Sequence, residues 1–526
     1  MKKTQSFAVG ALVLMIASIA TKVIGAVFKI PLTNLIGADG MGVFSIAYTI
    51  YSTLFVISTA GLPIAISKMV AEANAVGNQK RIKSILKVSL LSFSVIGILA
   101  SLIMAVFAKP LTVLVSNTMA YYAVLAIAPS LFFVSIVSII RGFYQGLSDM
   151  VPTAVSQVLE SVGKLGFGLL FAYILQSRGY SFEICAAGAI LGVTLGTLMS
   201  ALYLFAIVIK KIREYRNVRA DSPFIPLAKS IVKMAVPVTV GSAVLSLTNL
   251  IDMFLVMSRL QFAAGFSEIM ANKLYGAYSM SVTLYNLPQT FVVAISVSII
   301  PAISTYIAMK NREKTAETIG TAFKLASMIA FPAGVGFLIL SKPILNLLYY
   351  SRPEDVAIAT PLLSYLGIAV MFIALVSLSN SVLQAIGKIN VPVGTMLIGG
   401  AVKIAANYIL VGNPGINING APIGTMCCYG VIATLNIIVI KKHYRELSVS
   451  KMFMKTFISA VVMGIFAYLT IDPISAMIGA KLGIVSVISG CVFIYFLTLL
   501  ATGGFTKEDI LMMPKGEKLV KILKLK

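Results

Sequence analysis

Apolar runs of about 20 residues recur along this chain, separated by short segments that hold most of its Lys, Arg, Asp and Asn, and each run is long enough to cross a hydrocarbon core of about 30 Å as a helix. The runs predict spans near 6–30, 43–70, 82–108, 119–142, 152–176, 184–209, 229–257 and 277–307. Six more follow near 319–340, 357–379, 391–411, 420–440, 451–470 and 477–502. Period-two alternation is lacking, which argues against a barrel. The predicted fold class is therefore all-α and integral to the membrane, with about 14 transmembrane helices. The first run carries Lys22 and Lys29 and is not followed by a convincing small-residue cleavage site, so it reads as helix one rather than a removed signal.

The polar positions inside the runs reveal a second pattern. In RGFYQGLSDMVPTAVSQVLESVGKLGFGLL, residues 141–170, Glu160 and Lys164 stand four apart in an otherwise apolar segment, so they share a helix face and can pair. Gln145 and Lys164 are nineteen residues apart with Pro152 between them, and Gln384 and Lys403 are nineteen apart with Pro392 between them. Three more anchors echo in order. Pro63-Ile-Ala-Ile-Ser67 returns as Pro301-Ala-Ile-Ser304, Lys109-Pro110-Leu111 as Lys342-Pro343-Ile344, and Gly188–Gly192 as Gly420–Gly424. An internal repeat follows, a plan common among secondary transporters, whose sites lie between the halves near the midplane. The expected organisation is a six-helix lobe over 1–210, a cytoplasmic linker over 211–228 and a second six-helix lobe over 229–440. Helices 13 and 14 over 441–502 and a basic tail over 503–526 complete it.

Composition agrees: 59% of residues are hydrophobic, 11% are charged and the mean hydropathy is +0.97, more apolar surface than a soluble fold can hide. The net charge of +24 suggests nucleic acid only until its placement is considered. With a cytoplasmic amino terminus, the 42 Lys and Arg divide as 30 inside, 7 outside and 5 within spans, a strong positive-inside bias that puts both termini in the cytoplasm. The tail from Lys507 suits the anionic inner leaflet. Cys185, Cys427, Cys428 and Cys491 sit in apolar segments without ligand spacing, and His443 lies in a basic loop, so neither a metal site nor a catalytic centre is indicated. No Gly-rich nucleotide loop occurs, so no cofactor is expected and transport would draw on gradients.

Candidate chemistry thus reduces to charges within spans. A lysine at the bilayer centre costs about 2.5–3.5 kcal/mol on insertion scales, so each must be paired, snorkelled or in a wet cavity. Lys68 and Lys29 are near helix ends, where snorkelling competes with a cavity role. Lys22 is deeper and seven residues from Lys29, almost two turns, so the two project from one face. Lys164 reads either as a neutralising partner of Glu160 or as a cavity cation, whereas Lys403 has no acid within four residues. Asp252, with Asn249 three residues before it, reads either as the partner of a buried lysine or as an ion-coupling site. Pro63, Pro129, Pro237, Pro288 and Pro332 fall inside predicted spans and permit kinks.

The runs GLPIAISKMVAEANAVGNQK over 61–80, RGFYQGLSDMVPTAVSQVLE over 141–160 and GAVKIAANYILVG over 400–412 resemble signatures of the stage V sporulation protein B and polysaccharide-transporter family. The resemblance covers nearly the whole chain. That family belongs to the multidrug, oligosaccharidyl-lipid and polysaccharide exporter superfamily, with lipid II flippases among its relatives. The resemblance implies twelve core helices in two lobes plus two more, and a flippase rather than an enzyme. Its substrate would be an isoprenoid-pyrophosphate-linked saccharide, a cell-wall or polysaccharide precursor, moved across the bacterial cytoplasmic membrane. Lys22 and Lys29 resemble the basic residues that lipid II flippases place on helix one to meet the pyrophosphate, Lys29 slightly shifted in spacing. Helix eight departs from the pattern: SVTLYNLPQT carries no charge where those flippases have an arginine near an acid.

The expected substrate-binding set is Lys22, Lys29, Glu160, Lys164 and Lys403, with Asn249 and Asp252 as candidates for coupling to a monovalent cation, the membrane potential being the other drive. Membrane lipids are the remaining expected partners, and nucleic acid is not one. Two rival classes stand beside this one. A cation-coupled multidrug exporter of the same superfamily would have twelve helices and an acidic cavity. A membrane enzyme acting on prenyl-linked glycans would need carboxylates or His in sizeable external loops.

Overall fold

The computed structural model describes residues 7–214, 223–447 and 449–504, so residues 215–222 of the 211–228 linker and most of the basic tail lie outside the described residues. Among those described there are helices and no strands. Contacts divide the chain into two compact units, Met1–Met280 and Ser281–Lys526.

The first unit begins with α1 (Phe7–Thr59), 53 residues that would run about 80 Å if straight. It bends at Gly37, whose φ of 67° and ψ of −176° a side-chain-bearing residue would resist. There follow α2 (Leu62–Ala75), α3 (Gln79–Val106), α4 (Ala108–Leu114), α5 (Tyr121–Ile127), α6 (Ser130–Gly146), α7 (Val151–Ser177), α8 (Phe182–Glu214), α9 (Phe224–Phe262) and the start of α10 (Glu268–Ala308). The second unit holds the rest of α10, then α11 (Arg312–Leu348), α12 (Pro353–Ala385), α13 (Asn390–Val411), α14 (Gly420–His443), α15 (Val449–Ile478) and α16 (Ala480–Ala501).

Twelve of the described helical stretches are long and apolar enough to cross a membrane, or thirteen if the pair 118–127 and 130–146, bent by 41°, counts as one span. The fourteen apolar runs of the sequence exceed that count at Leu12–Ala75, one 64-residue stretch in the structure and two runs in the sequence. At 1.5 Å per residue this stretch is about three times the thickness of a hydrocarbon core. Large apolar side chains such as Leu99, Leu102, Ile103 and Leu469 remain on the protein surface, as they do where the solvent is lipid.

Close backbone approach sets the packing of α7 on α8. A Cβ on Gly192 would stand 2.2 Å from the Gly168 nitrogen, and one on Gly196 would stand 2.5 Å from the Glu160 carbonyl oxygen and 2.7 Å from the Lys164 nitrogen. Only glycine allows the two helices to cross there, the small-residue contact that van der Waals packing in lipid favours. In the second unit α11 packs on α12 and α15, α12 on α14, and α13 on α14. Helices α15 and α16 pack on each other and are tied to α11 by Ser327–Thr456 hydroxyls 3.0 Å apart and by Tyr495 Oη donating to the Met328 carbonyl at 3.1 Å.

The repeat anchors sit in matching local geometry. Three residues after Gln145 the chain turns left-handed at Ser148 (φ 59°), and three after Gln384 it does so at Gly387 (φ 79°). In both turns that residue's N–H donates to the glutamine carbonyl at 3.0 Å and the next N–H reaches one residue further back, the helix-ending motif that satisfies orphan carbonyls. Helices α7 and α13 then start six residues after their respective glutamines. The match extends to residues outside the sequence anchors: Asn78 caps α3 by accepting from the Arg81 N–H at 2.9 Å, and Asn311 caps α11 by accepting from the Lys314 N–H at 3.0 Å.

Candidate functional site

In the first unit a cavity of about 230 Å³ opens between α1, α7 and α8. Thr21, Gly25 and Phe28 line it from one face of α1, Tyr48 and Tyr51 from beyond the bend, Glu160, Ser161 and Lys164 from α7, and Val193 from α8. The spacing of 21, 25 and 28 is one helical stripe, and the bend at Gly37 brings the aromatic end of the same helix to the same space.

Lys164 is half-buried midway along α7. Its ammonium lies 4.5 Å from the ring centre of Tyr48, 5.2 Å from that of Phe28 and 5.9 Å from that of Phe44. Such contacts are worth about 0.5–2 kcal/mol and hold a cation without neutralising it. Phe44 stacks on Tyr48 with centroids 6.0 Å apart, so the rings form a wall rather than separate contacts.

Of the two readings of Lys164, the pair with Glu160 is not formed. Glu160 instead accepts from Arg141 Nη2 of α6 at 2.9 Å. The same guanidinium donates through Nε to Ser156 Oγ at 2.8 Å and through Nη2 to Ser200 Oγ at 3.3 Å. From α6, arginine's planar fork reaches three acceptors on two other helices at once, which an ammonium one turn away cannot do. Arg141 stands at the end of the predicted span 119–142, where position along the chain groups it with the 30 cytoplasmic charges. Its nineteen-residue spacing from Glu160, equal to that from Gln145 to Lys164, was the available signal.

The other predicted residues fall as follows. Lys22 is exposed and Lys29 half-buried on α1, each next to a cavity-lining residue, Thr21 and Phe28. Lys29 and Lys164 lie within electrostatic reach of each other. Lys403 is half-buried on α13 of the second unit. On α9, Asn249 is exposed and Asp252 half-buried, and neither lines the cavity.

In the register that sets Gln145 on Gln384 and Lys164 on Lys403, Arg141 falls on Asn380, Ser156 on Thr395 and Glu160 on Gly399. The second unit has a neutral network there. Asn436 of α14 donates to Ser379 Oγ at 3.0 Å and to Asn380 Oδ1 at 2.8 Å, and accepts from Thr395 Oγ1 at 2.8 Å. Each unit thus ties three consecutive helices through half-buried and buried polar groups, with Arg141 and Asn380 at the same repeat position, charges in one unit and amides in the other.

The profile of the family described as Polysaccharide biosynthesis protein matches residues 7–307. The chain belongs to the polysaccharide biosynthesis protein family. A second profile, MatE, matches residues 237–409 of the chain. It is 25% identical to the stage V sporulation protein B of Bacillus subtilis (strain 168) over 97% of this chain and 98% of that one. It is 24% identical to the lipid II flippase MurJ of the same strain over 82% of each. Among solved structures, an inward closed lipid II flippase MurJ covers 93% of this chain with TM-score 0.72 at 16% identity. An inward-facing multidrug resistance MATE transporter covers 84% with TM-score 0.67, also at 16% identity. Both solved structures show the fold alone at that identity.

Proposed function

We propose that this protein flips an isoprenoid-pyrophosphate-linked saccharide across the bacterial cytoplasmic membrane by alternating access, as a transporter and not an enzyme. The observation that carries the reading is Lys164: a cation midway along a membrane helix, set against rings at the wall of a cavity, its one-turn acidic neighbour engaged elsewhere. A diphosphate needs a wet, cationic path through a low-dielectric core, and lysine suits an anion that must be released again. Lys22 and Lys29 would add positive charge along α1, each the sequence neighbour of a lining residue, Thr21 and Phe28. With the interior negative, outward movement of anionic charge gains about 2.3 kcal/mol per charge per 100 mV. The names of the stage V sporulation protein B and lipid II flippase relatives support the substrate class.

The reading includes fourteen crossings, taking Leu12–Ala75 as two, with both termini cytoplasmic. It also includes lobes over 1–210 and 229–440 in which Lys164 and Lys403 are equivalent. An apolar groove of about 540 Å³ in the second unit, lined by Val335, Leu338, Ile368, Met371, Val461 and Leu469 among others, suits a hydrocarbon chain of the lipid carrier or the bilayer. Depleting the protein and identifying the lipid-linked intermediate that accumulates inside tests the reading. Unchanged pools of every prenyl-linked saccharide would sink it.

A second reading, a cation-coupled multidrug exporter, draws on the MatE profile match and the MATE neighbour. Asp252 and Asn249 would then couple transport to a monovalent cation. Its signature is drug efflux that depends on Asp252 while prenyl-linked pools stay constant.

A further inference from the structure

We infer that Arg141 is a positioning residue: by holding the Glu160 carboxylate at the α6–α7 crossing, it keeps that acid from neutralising Lys164 and leaves the ammonium open to an anion of the diphosphate class. The identity of the anion rests on the proposed flippase activity. The restraint on Glu160 does not.

Glu followed by Lys four residues on is the favoured order for a pair along one helix, and both side chains line the same cavity. Without a competitor, Glu160 would reach Lys164. Arg141 is that competitor, fixed by Ser156 and Ser200 as well as by the acid. Which lysine or arginine Glu160 chooses decides where the uncompensated positive charge sits. Paired with Arg141, the acid leaves that charge on Lys164, in the cavity wall. Paired with Lys164, it would leave the charge on Arg141, which is not among the lining residues.

The internal repeat argues independently that Arg141 and Glu160 form one functional unit separate from the lysine. In the second unit both become neutral together, as Asn380 and Gly399, while the lysine is kept as Lys403. A lysine whose purpose was to neutralise Glu160 would have no reason to persist where the acid is glycine. An arginine whose purpose is to occupy Glu160 would be expected to disappear with it, and it does.

The experiment uses the full-length protein in lipid nanodiscs. Dicyclohexylcarbodiimide, an apolar reagent, activates a carboxyl group. An adjacent lysine amine then attacks it to form an amide, with the urea as leaving group. Mass spectrometry reads the product as loss of one water from a peptide that trypsin no longer cuts at Lys164. We expect this cross-link in Arg141→Gln and not in the wild type. Its presence in the wild type, or its absence from both, overturns the restraint.

Titration with inorganic pyrophosphate then reads the consequence. Arg141→Gln should lower affinity ~10-fold, a loss of about 1.4 kcal/mol, and Arg141→Gln/Glu160→Gln should restore it to near the wild-type value. Glu160→Gln alone should bind at least as well as wild type, which keeps the test decisive if Arg141→Gln folds poorly. Failure of the double variant to recover, or a loss in Glu160→Gln, would show Arg141 or Glu160 acting directly on the ligand or only structurally, against the inference. Wild type that binds no pyrophosphate while the cross-link behaves as expected refutes the flippase reading's anion and leaves the restraint standing.

Discussion

Glu160 lies 2.9 Å from Arg141 across two helices, although Lys164 stands one turn away on its own helix. The arrangement separates two roles that the sequence places in one segment. Arg141 and Glu160 tie α6 to α7 with help from Ser200 of α8, and Lys164 supplies charge to the cavity.

Replacing Lys164 by Gln should abolish transport while leaving the fold intact. The ring contacts it loses are worth about 0.5–2 kcal/mol, and removing a half-buried charge offsets part of that loss by relieving desolvation. Complementation of a depleted strain, alongside melting of the detergent-solubilised protein, checks both halves. A variant that transports normally would defeat the cavity assignment.

Arg141→Ala should destabilise the protein more than Glu160→Gln does. Side-chain exposures of 16% for Arg141 and 30% for Glu160 place the pair between a surface bridge and a buried one. The expected cost is about 2–3 kcal/mol, between the roughly 1 kcal/mol of exposed pairs and the 3–5 kcal/mol of stranded buried charges. Glu160→Gln keeps a hydrogen-bond acceptor for the guanidinium and should cost about 1 kcal/mol or less. Equal, small shifts in melting temperature would show that the pair contributes little.

Gly196→Ala should lower both stability and transport, because its methyl would press on the Glu160 carbonyl and the Lys164 nitrogen and push α7 off α8. Overpacking of this kind costs about 1–3 kcal/mol. Gly166→Ala, on the same helix as Lys164 but facing open space, should be neutral or stabilising by up to about 1 kcal/mol through helix propensity alone. Thermal melting of the two variants side by side makes the comparison, and matching losses would remove the case for a tight α7–α8 crossing.

Single cysteines placed in the 215–222 segment and beyond residue 505, in a variant lacking the four native cysteines, should react with an impermeant maleimide only after the cell is opened. Labelling of either from outside would contradict the positive-inside assignment.

Hydropathy and charge placement were enough to establish a multi-helix membrane protein and its approximate spans, and residue spacing pointed to an internal repeat. The first two are sums over local windows, and a bilayer admits few other structures for such runs. The repeat was legible because Gln145, Lys164 and their counterparts Gln384 and Lys403 keep their spacing, and spacing survives where neighbouring residues do not. The chain alone also singled out Lys164 and Glu160, because charges are conspicuous against an apolar background.

It did not reveal their partners. Four-residue spacing makes Glu160 and Lys164 neighbours on any helix, but whether they pair depends on what the next helix offers. Arg141 of α6 meets both Glu160 of α7 and Ser200 of α8, two helices that cross closely at Gly163, Gly192 and Gly196. The rings around Lys164 arrive from both arms of α1, on either side of Gly37, through a bend of one glycine that hydropathy does not register. Helix rotation and crossing are set by contacts between residues far apart in the chain, so only the tertiary structure decided which charge was occupied and which was left facing the cavity.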